Sequence, residues 1–182
     1  MLNNIDHNKE VLLKMAKDSG NNLHSFAYVN KVSVSVGLGA NKESKEIISS
    51  IEKELSELTG QKPKYTRAKK SIAGFKIREN QHIGFVVTLR GKRMWQFIDK
   101  INKAVLPRVR DFEGIDEKSI DSSGNLNFSI KEHIVFPEIV HDQTKSQWGM
   151  SITLTLNKKS KRNYAKTYYE KIGFILKGGQ NG

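Results

Sequence analysis

The chain contains no cysteine. Disulfide scaffolds, zinc ribbons and thiol catalysis are therefore excluded together. No stretch approaches the roughly 18 consecutive apolar residues of a membrane-spanning helix. No amphipathic segment sets a basic face against a Trp/Leu face, as a membrane-surface helix would. The five histidines, His7, His24, His82, His133 and His141, are scattered without a paired metal spacing. No cofactor, metal or membrane partner is expected. Acidic residues are also scarce, 19 Asp+Glu against 31 Lys+Arg, for a formal charge of +12 and a pI near 9.8. A basic excess of this size points to nucleic acid, through phosphate neutralisation and counterion release. The N-terminal stretch MLNNIDHNKEVLLKMAKDSG has no signal-peptide apolar run; it carries acids and no Arg, unlike a transit peptide. The expected compartment is a bacterial cytoplasm or an organelle with its own genome.

What is present suits one domain over residues 1–182, with a hydrophobic fraction of 37% for its core. A helix is predicted over 5–17, with Ile5, Leu12, Leu13 and Ala16 as its apolar stripe. Residues 31–38 alternate, Val32, Val34, Val36 and Leu38 against Ser33, Ser35 and Gly37, which predicts a half-buried strand. Residues 42–58 place Ile47, Ile48, Ile51, Leu55 and Leu58 on one helical face, ending at Gly60. A strand over 83–89 alternates Ile83, Phe85, Val87 and Leu89 with Gly84, Val86 and Thr88. A helix over 92–106 turns Met94, Phe97, Ile101 and Val105 inward before Pro107. Residues 114–125 are rich in turn formers. A weaker strand is predicted over 126–135, a clear one over 150–156, and a basic helix over 161–172. Each strand has a single apolar face, unlike a parallel sheet buried on both sides. The pattern predicts an α+β fold: an antiparallel sheet with helices packed on one face and the other face open.

The open face would carry Ser33, Ser35, Gly37, Gly84, Val86, Thr88, Ser151, Thr153 and Thr155, with Arg90 following in phase. Short hydroxyl-bearing side chains let a bulky partner approach, and suit the 2′-hydroxyls of an RNA minor groove. Ser and Thr also simply fit strands. The stretch 62–78 holds Lys62, Lys64, Arg67, Lys69, Lys70, Lys76 and Arg78 with no acid among them, and Tyr65 and Phe75 in between. Cations interleaved with aromatics suit nucleic acid, the cations meeting phosphates and the rings meeting bases. A basic loop protruding at about 69–80 is expected.

Enzyme motifs are weak. Gly37-Leu38-Gly39 lacks the third glycine of a dinucleotide fingerprint and reads better as a tight turn. Gly91-Lys92 lacks the earlier glycine and the Ser/Thr of a P-loop. Glu52 and Glu54 lie beside Lys53 and read as a solvated helix face. Trp95 and Trp148 read as packing residues. A generic basic nucleic-acid module and an enzyme acting on a phosphorylated substrate are the competing classes.

Three long motifs, TGQKPKYTRAKKSIAGFKIREN, IGFVVTLRGKRMWQFIDKINKAVLPRVRDFEGI and NFSIKEHIVFPEI, closely resemble the L-five family of large-subunit ribosomal proteins. The resemblance is strong from about Leu23 to Ile139, weaker through Thr155 and faint at both ends. It implies a structural, non-enzymatic protein bound to 5S rRNA and large-subunit rRNA in the central protuberance, beside other proteins of that region. The family's 5S contacts would fall on Gln61 and Thr88. A third falls on Ser35, where the family usually has Asn. Around them the rRNA-binding set is Ser33, Lys62, Lys64, Arg67, Arg90 and Thr153. The family's protruding loop, which approaches the peptidyl-site tRNA, matches Ser71, Ile72, Ala73, Gly74, Phe75, Lys76 and Arg78, with Lys69 and Lys70 leading in. The segment 134–142, with Pro137, Glu138, Ile139, His141 and Asp142, resembles the part that faces the small-subunit head protein of the S-thirteen family. Val140-His141-Asp142 stands where bacterial members usually have Asp-Tyr-Asp. Drifted ends and abundant Asn, Lys and Ile point to an organelle-encoded protein in the mitochondrial matrix, with a plastid or a bacterium as alternatives.

Overall fold

A computed structural model describes residues 4–19, 22–39, 44–139 and 146–177. The elements are α1 (Asn4–Ser19), β1 (Val29–Gly37), α2 (Lys45–Thr59), β2 (Lys64–Arg67), β3 (His82–Leu89), α3 (Gly91–Lys100), β4 (Ile115–Asp116), β5 (Leu126–Ile130), β6 (Met150–Leu156), α4 (Arg162–Lys171) and β7 (Leu176–Lys177). Five strands form an antiparallel sheet in the order β2-β3-β1-β6-β5. The fold is α+β, with one apolar sheet face covered. A separate parallel pair joins Ile115 to Leu176 and Asp116 to Lys177.

Period-two alternation sets the sheet. Val32, Val34 and Val36 on β1, Phe85, Val87 and Leu89 on β3, and Ile152, Leu154 and Leu156 on β6 are buried. Their neighbours Ser35, Gly37, Thr88 and Ser151 are exposed. Helix α2 starts at Ser44, whose hydroxyl accepts from the Ile47 N–H. It ends at Gly60, left-handed at φ 65°, whose N–H donates to the Ser56 carbonyl.

The contacts gather in two compact units. The first comprises 1–32, 89–128 and 153–182; the second comprises 33–88 and 129–152. In the first, α1 lies against α3, and α4 buries Tyr168 and Tyr169. The Tyr168 hydroxyl donates to Asn8 Oδ1 and accepts from the Val29 N–H; the Tyr169 hydroxyl donates to the Gly124 carbonyl. Desolvation pushes the Tyr164 phenol up to about 12. In the second unit, α2 buries Ile51, Leu55 and Leu58. The Tyr65 hydroxyl donates to Glu52 of this helix, and its ring packs on Phe85 at 4.7 Å, so α2 covers the apolar side of β2 and β3.

Four details depart from the sequence reading. The α1 stripe is Val11, Leu12 and Met15, while Leu13 is 41% exposed; Ile5 lies where side chains are not described. The strand β2 was hidden in the basic stretch, because four residues are too few to display a period. The strand predicted over 126–135 ends at Ile130, and His133–Val135 form a 3-10 turn. Alternation fails there, since Ile134 and Val135 are adjacent apolar residues. The helix over 92–106 is α-helical to Lys100. It then passes through a π turn at Ile101–Val105 and a 3-10 turn at Leu106–Arg108 that contains Pro107.

Candidate nucleic-acid interface

In the second unit, β2 and β3 pair antiparallel, with Lys64 opposite Val86 and Thr66 opposite Gly84. These four residues share the open face with Ser33, Ser35, Gly37, Thr88 and Ser151. Gly84 is required there by space. A Cβ at this position would sit 2.5 Å from the Val36 carbonyl oxygen and 3.0 Å from Thr66 Oγ1. The strand backbones therefore pack closely at Gly84, under the Thr66 hydroxyl. The Ser35 hydroxyl donates to the Ser151 carbonyl at 3.5 Å. Thr88 is exposed and Ser33 half-buried.

Gln61 is set by the end of α2. The chain turns at Gly60, and the Gln61 N–H donates to Thr59 Oγ1, whose hydroxyl donates in turn to the Leu55 carbonyl. Its Nε2 then donates to the Thr88 carbonyl at 3.4 Å. Gln61 and Thr88, 27 residues apart in sequence, thus meet at one end of β3. Lys62 and Lys64 are exposed near them, while exposed Arg67 lies at the other end of β3, opposite His82. Lys62 Nζ also lies 4.0 Å from Glu52 Oε1, a solvent-screened pair.

In the first unit, Thr153 is half-buried and its hydroxyl donates to Asn127 Oδ1 at 2.8 Å. Arg90 is exposed at the N-cap of α3, with exposed Lys92 and Arg93 in the first turn and no acid there. Cations at a helix N-terminus oppose the helix dipole, so this end is suited to a polyanion.

Residues 69–80 form a compact loop that holds itself. Ile72 and Ile77 exchange two main-chain hydrogen bonds, 2.9 and 3.1 Å, around a 3-10 turn at Ala73–Phe75. Lys76 closes that turn at φ 51°. Ser71 Oγ accepts from the Glu79 N–H, and Gln81 Oε1 accepts from the Arg78 N–H. At the root, Ala68 donates to the Gln81 carbonyl and accepts from the Asn80 N–H. Phe75 is 70% and Ile72 47% exposed at the tip, ringed by exposed Lys69, Lys70, Lys76 and Arg78. A half-open groove of about 570 Å³ runs beside them, lined by Ala73, Lys76, Ile77, Arg78 and Gln81.

Tyr65 does not join Phe75 as a stacking platform. Its ring is 4.6 Å from His82 as well as 4.7 Å from Phe85, and its hydroxyl is held by Glu52. That hydrogen bond is the main reason its pKa is raised, with desolvation and the carboxylate charge adding to it. The alternation of Tyr65 with Lys64 and Thr66 was the available signal. Glu52 and Glu54 are likewise no solvated pair, since both reach inward to named partners. Of the segment 134–142, Pro137 and Glu138 are exposed while Ile139 is buried. His141 and Asp142 lie outside the described residues. No described residues gather three or more His, Asp or Glu into a metal-binding group, and no described helix is long and apolar enough to cross a membrane.

Fold and surface together define a basic α+β protein with an open, hydroxyl-rich sheet face and a cationic loop. The chain belongs to the ribosomal protein L5 family: residues 22–78 match the model for ribosomal protein L5, and residues 82–175 match the model for the C-terminus of that ribosomal family. The large ribosomal subunit protein uL5 of Dichelobacter nodosus is 40% identical over 173 residues, 94% of this chain and 96% of that protein. That of Synechococcus sp. strain RCC307 is 48% identical over 78% of this chain and 79% of its own. The protein named uL5c from Gracilaria tenuistipitata var. liui is 44% identical over 76% and 78%. The match at 94% coverage extends further toward both ends than the three motifs alone.

Proposed function

We propose that this chain is a structural constituent of the large ribosomal subunit, not an enzyme, and that its open sheet face binds 5S rRNA in the central protuberance. The observation that carries this reading is the meeting of Gln61 and Thr88 at one end of β3, on the face that also carries Ser35 and Ser151. An amide and a hydroxyl stand together at one end of β3 where an RNA minor groove can approach, with Ser33 and Ser35 on the neighbouring strand. Lys62, Lys64 and Arg67 supply phosphate contacts; Arg90 and Thr153 extend them to large-subunit rRNA. The loop at 69–80 contacts the peptidyl-site tRNA, with Ile72 and Phe75 as its apolar tip and Lys69, Lys70, Lys76 and Arg78 around it. The segment 134–142 meets the small-subunit head protein of the S-thirteen family. Ser35, shorter than Asn, gives a weaker contact. The chain acts as one cooperative domain.

The mitochondrial assignment rests on composition and drifted ends. The relatives are bacterial and plastid, and several bacterial ones match over 94% of the chain, which weighs for a bacterial or plastid ribosome. Cell fractionation with an antibody to the chain separates these.

The test of function is binding to 5S rRNA beside a tRNA of similar length across a salt series. A preference for 5S rRNA that survives high salt is expected. Thr88→Ala is expected to lower that affinity about tenfold, in line with about 1–3 kcal/mol for a lost specific contact, and to leave Tm unchanged. Equal, salt-sensitive binding to both RNAs would overturn 5S recognition and leave a generic basic module.

A further inference from the structure

We propose that His133 is the positioning residue of the surface Ile134–Ile139, closing a clasp that determines where this segment leaves the fold. The inference rests on the reading of that surface as the small-subunit contact. The clasp has two stretches of chain, two stacked rings and one helix. The His133 N–H donates to the Trp148 carbonyl at 3.0 Å. In the reverse direction the Trp148 N–H, at 3.3 Å, meets the His133 ring at Nδ1. The ring nitrogen thus stands where a carbonyl would stand in an antiparallel bridge, and the side chain completes a pair that the main chain begins.

The surroundings select the tautomer. Nε2 lies 3.3 Å from Glu54 Oε2, an ion-pair distance at which the carboxylate favours a proton on Nε2. Nδ1 is then left as the acceptor for the Trp148 N–H. The Trp148 carbonyl lies 3.2 Å from Nδ1 and also accepts from the His133 N–H, so the Trp148 N–H aimed at Nδ1 is what marks that nitrogen as the acceptor. Glu54 is itself held: Oε2 accepts from Trp148 Nε1 at 2.8 Å, and Oε1 accepts from the Ser50 hydroxyl at 2.8 Å. The imidazole and indole stack with centroids 4.4 Å apart and planes 10° from parallel. His133 is fully buried. Beside the clasp, Gly149 packs so tightly that a Cβ would approach the Lys131 and Ile130 carbonyl oxygens at 2.9 and 3.0 Å. Both ends of the excursion are thereby referred to α2, and the exposed Pro137 and Glu138 follow directly from this root.

Packing and positioning predict opposite orders for two substitutions. His133→Phe keeps a ring on Trp148 but loses both nitrogens. His133→Gln loses the ring but offers an acceptor and a donor to Trp148 and Glu54. Hydrogen exchange on the full chain is expected to show at least tenfold faster exchange of the Trp148 amide and of Ile134–Ile139 in His133→Phe, and clear recovery in His133→Gln. Wild-type protection in the Phe variant, or a Gln variant no better than Phe, would overturn the proposal. Should the Phe variant fail to fold, nitrogen NMR of the wild-type ring decides. An unprotonated Nδ1 at neutral pH is expected, and a protonated one would overturn it. Subunit joining by reconstituted large subunits separates the two readings. Altered exchange with normal joining sinks the small-subunit contact and leaves the clasp standing.

Discussion

Two segments leave the second unit, and they are held in opposite ways. The loop at 69–80 is tied almost wholly by bonds within itself: Ile72 to Ile77, Ser71 to Glu79, Gln81 to Arg78. Nearly all of its side chains are exposed. The segment after His133 is rooted in a buried group, an imidazole, an indole and a carboxylate drawn from three parts of the chain. The first keeps its shape through its own bonds. The second takes its direction from α2. A loop that meets a polyanion gains from exposed cations and a preformed tip. A surface that meets another protein gains from a defined exit angle. The difference lies in where the hydrogen-bond partners are, not in how many there are.

The sharpest way to break this contrast is Glu54→Ala. It strips the acceptor from Trp148 Nε1 and from the Ser50 hydroxyl, and removes the carboxylate beside the His133 ring. A loss of about 3 kcal/mol is expected, the scale for a buried partner removed singly, read as a fall in Tm. A small change would mean that water replaces the carboxylate and that the root is looser than its distances imply. Ser71→Ala should act on the loop alone. Faster exchange of the Glu79 amide is expected, with about 0.5–1 kcal/mol of local stability lost and no measurable change in Tm. A global effect would show the loop to be wired into the unit after all. Lys69→Ala with Lys70→Ala is expected to leave stability within about 0.5 kcal/mol while making the salt dependence of RNA binding shallower. An unchanged slope would remove both lysines from the phosphate contacts.

The same contrast explains what could be read in advance. The alternation of Val32, Val34 and Val36, the stripe Ile51, Leu55 and Leu58, and the left-handed Gly60 are local patterns, and each appears as expected. The cationic loop is also local in origin, and its one-signed run marked it. The clasp joins residues 94 positions apart, Glu54 and Trp148. Nothing beside Glu54 signals that it faces inward, since Lys53 next to it makes the pair look solvated. Tyr65 misled for a related reason. Between two basic residues it resembles a stacking ring, and only its register opposite Phe85 turns it to the core. The hydroxyl face was legible as a period of two. The need for glycine at position 84 was not, because the clash that demands it comes from β1, 48 positions away at Val36 (84 − 36).

The chain has two tryptophans, and they fall one in each unit: Trp95 in the first, Trp148 in the second. Both are buried. Each unit therefore carries its own intrinsic fluorophore, with no label needed. Trp148 rests against an imidazole, so its emission will respond to the ring beneath it, whereas Trp95 sits on α3, away from the clasp in sequence. Trp95→Phe and Trp148→Phe turn the protein into two single-colour reporters. Coincident denaturation curves from the pair describe one cooperative body. Separated curves give the order in which the two units unfold.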